Sequence, residues 1–468
     1  MKKTNPPLPP LAKGGHGGIT QSFSLNRYPL FISVLMLFAV FCFLPTNVFA
    51  LNVNRTILPN GLVVLHSENH SLPIVMVTLI IKAGQINEPA EKAGLANLTA
   101  ELLTEGTRNR KSRDISEEID FIGASLDASA GSDYTTISLS VLKKDIQKGA
   151  ELFSDILLNP IFPQDEIDRK KELIKGFLRQ REEDPSFLAE RAFKKEVFRE
   201  HSYGRILEGS AESIQNIKRE DLVKFHADYF LPNNSILSVA GDLTHAELDA
   251  LMGKYLSGWK KAEIPSRVTG ELNRAKLKKT IKIDKDLTQA NIILGNLGIS
   301  RDNPDYYAVS VMNYILGGGG FSSRLMHSVR DELGLAYDVH SFFAANKEEG
   351  IFQIGLQTKN ESANVAIAEV LKQVERIRKE KVTDDELSEA KSYLTGSFPR
   401  RLDTNRKIAD FLASVEFYNL GLDYATKYPD YINSVTTGDV LRVAEKYLSP
   451  EKYVLVVVAN QKKAELKY

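Results

Sequence analysis

The chain has little of what most hydrolytic and metal sites are built from. Its 468 residues include one cysteine, one tryptophan and eight histidines. The lone Cys42 excludes an intrachain disulfide framework. No serine or cysteine nucleophile signature is present. Sixty basic residues cancel sixty acidic ones, so no global field favours nucleic acid or an anionic membrane. An apolar run does occur at residues 30–44, but it is shorter than the ~20 residues a bilayer span needs.

That run fits an export signal better. Arg27 precedes it, and Val48 and Ala50 suit a secretory cleavage before Leu51. Residues 1–27 then read as a Pro/Gly-rich disordered extension and residues 28–50 as a signal peptide. Phe41 is too bulky for lipoprotein cleavage at Cys42, and the mature chain would carry no cysteine. The expected address is the bacterial periplasm, with an uncleaved inner-membrane anchor as the alternative. The remainder, with 43% hydrophobic and 26% charged residues overall, is long enough for two domains.

An internal repeat supports two related domains. The segment running from Ile214 through Asp221, Tyr229 and Pro232 to Ala240 lies without a gap over Ile432, Asp439, Tyr447, Pro450 and Val458. Each copy reads as a capped amphipathic helix, a proline stop and a β-branched strand. The strand-like residues 73–82 are echoed by 290–295. Residues 51–262 and 279–468 are therefore two α+β domains, joined by a polar linker at 263–278.

The most telling stretch begins Gly94-Leu-Ala-Asn97-Leu-Thr-Ala100-Glu101 and ends Gly106-Thr107. It resembles the metal-binding helix of the insulinase/pitrilysin-type zinc peptidases, the inverzincins, a family that includes mitochondrial-processing-peptidase-like proteins. Their frame reads Gly-Leu-Ala-His-x-x-Glu-His, with two histidines on one helical face and a glutamate that takes a proton from metal-bound water. Here Asn97 and Glu101 hold the histidine positions and Ala100 the glutamate position. The family's third ligand is a glutamate in a later helix running into an acidic Asp-Pro turn. The matching register, ahead of Asp184-Pro185, falls on Gly176. The resemblance thus implies a degenerate site that binds no zinc.

A second motif is intact. The stretch from Gly317 through Gly320 to Arg330 and Tyr337 resembles the family segment whose arginine and tyrosine reach across a cleft to the substrate backbone. A guanidinium and a phenol are donors suited to a peptide carbonyl and its developing oxyanion charge. The bland alternative is a surface ion pair for Arg330 and a strand cap for Tyr337. Two decoys fail. No Gly-Lys-Ser/Thr follows the glycine run, so a close-packed loop is expected there rather than a phosphate cradle. The pair His66 and His70 flanks Glu68 in what reads as a solvated turn, which does not aim two rings at one point. His201 lies in a segment that resembles the family's cleft wall, while His226 and His327 read as surface or half-buried.

What the resemblance implies is a two-domain α+β protein forming half of a clamshell, each domain with helices on a mostly antiparallel sheet. Some family members work as two chains, one with the zinc helix and one without it but with the Arg/Tyr pair. This chain resembles the second kind: inert alone, holding an extended peptide through Arg330 and Tyr337 for a zinc-bearing partner subunit. The alternatives are a non-enzymatic scaffold and, less favoured, an active zinc endopeptidase.

Overall fold

The structure is a computed structural model that describes residues 51–266, 270–272, 274 and 278–468. The extension and signal expected at 1–50, and part of the expected linker, lie outside these residues. No helix among the described residues is long and apolar enough to cross a membrane.

Two sheets carry the fold. The first holds β1 (Asn54–Ile57), β2 (Val63–Glu68), β3 (Ile74–Ile81), β4 (Ser125–Ala130), β5 (Thr135–Leu142) and β6 (Ser235–Gly241), in the order β1-β2-β6-β3-β5-β4. The second holds β7 (Lys279–Asp284), β8 (Gln289–Leu297), β9 (Ala336–Ala344), β10 (Ile351–Lys359) and β11 (Val454–Ala459), in the order β7-β11-β8-β10-β9. Only the β2–β6 and β7–β11 pairs are parallel. The sequence pattern explains the layering. Every residue of β6 and β11 is buried, as a strand covered on both faces requires, and both are near-continuous apolar runs. β5 instead alternates buried and half-buried positions.

Six helices position the candidate site: α1 (Leu95–Glu101), α2 (Gln164–Arg181), α3 (Pro185–Phe198), α4 (Arg219–Tyr229), α5 (Asn405–Phe417) and α6 (Thr437–Tyr447). The internal repeat holds to the residue. The same offset of 218 separates the starts and the ends of α4 and α6. The recurring aspartates have one task. Asp221 accepts from the Lys218 N–H at 2.8 Å and Asp439 from the Thr436 N–H at 3.0 Å, each closing a helix start.

The halves are less self-contained than the sequence suggests. α3, from the first half, packs on β8 and β11 of the second sheet, and α5, from the second half, packs on β3 and β6 of the first. Phe193 and Val197 join a core with Ile293 and Val456, while Ile408 and Leu412 join one with Leu65 and Ile80. Each sheet has two apolar faces; its own helices cover one and the exchanged helix covers the other. A hydrogen bond from Thr78 to Asp410 at 2.7 Å pins α5 in place. α3 starts where Pro185 follows Asp184, whose carboxylate accepts from the Ser186 N–H at 2.9 Å.

Candidate functional site

The first motif forms the expected helix, α1. Gly94 opens it at φ 96°, and a Cβ there would lie 2.6 Å from the Glu208 carbonyl oxygen, so only glycine fits. Asn97 and Glu101, one turn apart, meet on one face, where Asn97 Nδ2 donates to Glu101 Oε1 at 2.9 Å. Lys170 of α2 adds a cation to that face. Its ammonium lies 3.5 Å from Glu101 and 3.4 Å from Glu105, and Arg169 lies 3.0 Å from Glu105. Ala100 is a fully buried methyl. Gly176 sits mid-helix in α2, and beyond its chain neighbours and its own helix backbone no atom lies within 4 Å of where its Cβ would be.

These groups do not fit Zn²⁺. The face offers one amide and one carboxylate that already shares an ammonium, with no imidazole and no base at position 100. Among the described residues, no cluster of three or more His, Cys, Asp or Glu side chains could hold a metal. The double variant Asn97→His/Glu101→His is therefore expected to bind Zn²⁺ at least roughly tenfold tighter than the unaltered chain in competition with a chromogenic chelator. Equally tight binding by the unaltered chain would show that the native face is already a metal site, and equally weak binding would show that two histidines alone do not restore one. Gly176 carries no packing duty either. Gly176→Ala is expected to raise stability by about 0.5–1 kcal/mol in urea unfolding, and a loss would reveal a hidden constraint.

The second motif is shaped by unusual backbone. The helix Tyr306–Asn313 widens into a π-helical turn at Tyr314–Gly318, and a 3₁₀ turn follows at Gly320–Ser322. A Cβ at Gly317 would lie 2.6 Å from Ser341 Oγ, so this glycine is close-packed against β9, whereas a Cβ at Gly320 would meet nothing within 4 Å. A second π-helical turn, Met326–Glu332, carries Arg330. It ends at Gly334 (φ 60°), whose N–H donates to the Arg330 carbonyl at 3.0 Å. The chain then enters β9, an edge strand, and Tyr337 is its second residue.

Arg330 and Tyr337 are thus brought together. The guanidinium lies 5.2 Å from the Tyr337 ring centroid and 4.7 Å from that of Phe321, which the sequence reading did not single out. Tyr337 is 85% exposed and Phe321 70%. Among the described residues no carboxylate pairs with Arg330. Arg324, six positions earlier, is by contrast clamped by both oxygens of Glu386 at 2.6 and 2.8 Å. The surface-ion-pair reading of Arg330 finds no partner here. Next to Tyr337 a cavity of about 550 Å³ opens between α3 and the second sheet, lined by Ser186, Asn291, His340, Gln353 and Gly355 among others.

Two histidine readings need correction. His66 is not in a solvated turn. It is the buried fourth residue of β2, its Nε2 3.0 Å from the Leu243 carbonyl oxygen, while His70 alone is exposed, beside Asp242 at 2.6 Å. His201 does not line a cleft. It is fully buried at the seam between the halves, its Nε2 3.1 Å from Glu348, and it accepts from the Tyr203 N–H at 3.2 Å. His226 is half-buried, with Nε2 2.8 Å from the Leu157 carbonyl, and His327 is exposed.

Two sheets of repeated topology, a helix with Asn97, Ala100 and Glu101 on the metal frame and the adjacent pair Arg330 and Tyr337 mark an insulinase-type clamshell half. Residues 63–211 match the insulinase (peptidase family M16) domain, and residues 216–394 match the peptidase M16 inactive domain. A solved peptidase M16 inactive domain from Pseudomonas fluorescens is similar with TM-score 0.81 and 30% identity, over 87% of this chain and 98% of that one. A Rickettsia bellii relative described as an uncharacterized zinc protease is 27% identical over 419 residues, 89% of this chain and 93% of the relative. A Helicobacter pylori relative described as non-peptidase homolog YmxG is 27% identical over 405 residues, 86% and 92% of the two chains. The chain belongs to peptidase family M16.

Proposed function

We propose that this chain is the non-catalytic, substrate-holding subunit of a two-chain M16 peptidase. Its partner is a homologous chain that carries the zinc residues, and the pair acts in the periplasm. The observation that carries the proposal is Arg330, a guanidinium with no carboxylate partner among the described residues, held beside an exposed tyrosine at the start of an edge strand. The outer edge of β9 offers backbone N–H and C=O groups to an extended peptide, giving sequence-tolerant affinity. Arg330 and Tyr337 then supply donors to a peptide carbonyl, which favours negative charge developing on its oxygen. The position where the family's base stands is Ala100, so in this reading the hydrolytic water and its activation belong to the partner.

The test is peptidase activity of this chain, of a zinc-motif M16 chain encoded in the same genome, and of their mixture. Cleavage by the mixture well above the zinc chain alone is expected, with none by this chain. A mixture no faster than the zinc chain would replace the proposal with a scaffold role. Cleavage by this chain alone would make it an enzyme in its own right.

A further inference from the structure

We infer that Phe321 is a positioning residue: its ring, together with that of Tyr337, holds the Arg330 guanidinium in place while leaving its N–H donors to the peptide. The inference rests on the proposed role of Arg330 and adds to it the group that sets its direction.

Three separately fixed segments meet here. Arg330 projects from the π-helical turn Met326–Glu332, a backbone form that recurs at functional sites. Tyr337 follows Ala336 of β9, which pairs with Thr358 of β10. Phe321 is the middle residue of the 3₁₀ turn Gly320–Ser322. The Ser323 hydroxyl and N–H both donate to the Gly320 carbonyl, at 2.7 and 3.0 Å, and close that turn. Beyond it, the Glu386 clamp on Arg324 anchors the chain. A fixed turn thus presents the Phe321 ring, yet the ring joins none of the hydrophobic cores among the described residues. An exposed phenyl gains little from burial. What it has is the guanidinium 4.7 Å away, nearer than the 5.2 Å to Tyr337.

The arrangement suits a donor that must stay available. An arginine stem is flexible, and a head that is ordered only when peptide arrives gives up affinity for that ordering. A carboxylate would order it in advance but take up its N–H groups, as Glu386 does for Arg324. Aromatic rings instead attract the cation through their quadrupoles and accept no conventional hydrogen bond. The guanidinium donors of Arg330, none of them taken by another described residue, remain for a carbonyl. One exposed ring of a pair contributes modestly, so removing Phe321 costs far less than removing Arg330.

The test uses the two-chain mixture and, separately, this full chain labelled with ¹⁵N-arginine. Phe321→Leu is expected to lower kcat about two- to fivefold with KM nearly unchanged, and Phe321→Tyr, which keeps the ring, to hold the parent's kcat. In an Arg330→Ala background Phe321→Leu should cost nothing further, because the ring acts through that guanidinium. A full additional loss there would mean that the ring touches the peptide itself, and no loss in the parent would mean that it aims nothing. Either result overturns the inference and leaves the role of Arg330 standing. No loss from Arg330→Ala would remove that role and the inference with it. The second readout needs no partner. The Arg330 Nε–H resonance, assigned by its absence in Arg330→Lys, is expected to move in Phe321→Leu, which removes a ring current, and to stay close to the parent in Phe321→Tyr. If it stays in both, Phe321 does not position Arg330, whatever the mixture does. If it moves while the mixture is inactive, Phe321 still aims Arg330 and the two-chain reading falls.

Discussion

Alanine at Arg330 is expected to lower the turnover of the two-chain peptidase about 100- to 1,000-fold, the usual loss on removing one donor aimed at a developing oxyanion. Its effect on the fold should be small. The Arg330 guanidinium lies over the rings of Phe321 and Tyr337, both largely exposed, and such contacts are worth about 0.5–1 kcal/mol. Urea midpoints of the variant and the parent should therefore nearly coincide. Arg330→Lys should recover little, because an ammonium lacks the planar fork that can hold a carbonyl while lying against the tyrosine ring. The readout is the kcat and KM of the mixture at fixed partner concentration. A fall in kcat places the donor in the transition state, whereas a rise in KM alone reduces Arg330 to a general peptide contact. Unchanged values for both would remove it from the site.

The helix of the first motif was legible because its frame survives. Gly94 must be glycine for the backbone to turn, and the residues around Asn97 and Ala100 stay apolar because that face packs into the core. The repeat was legible for a similar reason, since its aspartates cap helices whatever the function. Lys170 was not legible. Its pairing with Glu101 crosses between helices, and on its own helix it is one charge among many. Nor could the sequence show the helix exchange. Phe193 and Val197, one turn apart, announce an apolar face but not which sheet it covers. The cavity has no local signature at all, because Ser186, Asn291 and Gln353 meet only once α3 lies on the second sheet. His66 was misplaced because a polar residue at the end of an apolar run marks a turn as readily as a buried strand position.

Glu88→Ala is expected to destabilise the chain by about 2–5 kcal/mol, although residue 88 lies outside both motifs. Its side chain is almost fully buried and caps α1 from below: one oxygen accepts from the Gly94 N–H at 3.0 Å and the other from the Ala96 N–H at 3.1 Å. Alanine would leave both backbone donors buried and unpaired, at about 1–3 kcal/mol each. Burial pushes the Glu88 carboxyl up to about 8, against the opposing pull of the Ala96 and Gly94 N–H groups and the Arg205 charge. The sign of the pH effect follows. The folded state keeps a proton that the unfolded chain releases above the ordinary value of 4.5. Stability from this group is complete below that value and is lost as pH rises through about 8. Urea midpoints taken at about pH 5 and about pH 9 should therefore fall with pH in the parent and flatten in Glu88→Gln. A parent midpoint that instead rises over this range, with the rise absent in Glu88→Gln, would mean that Glu88 is ionised when folded. The start of α1 would then be an anion site, with the helix N-terminus outweighing the desolvation of the carboxylate.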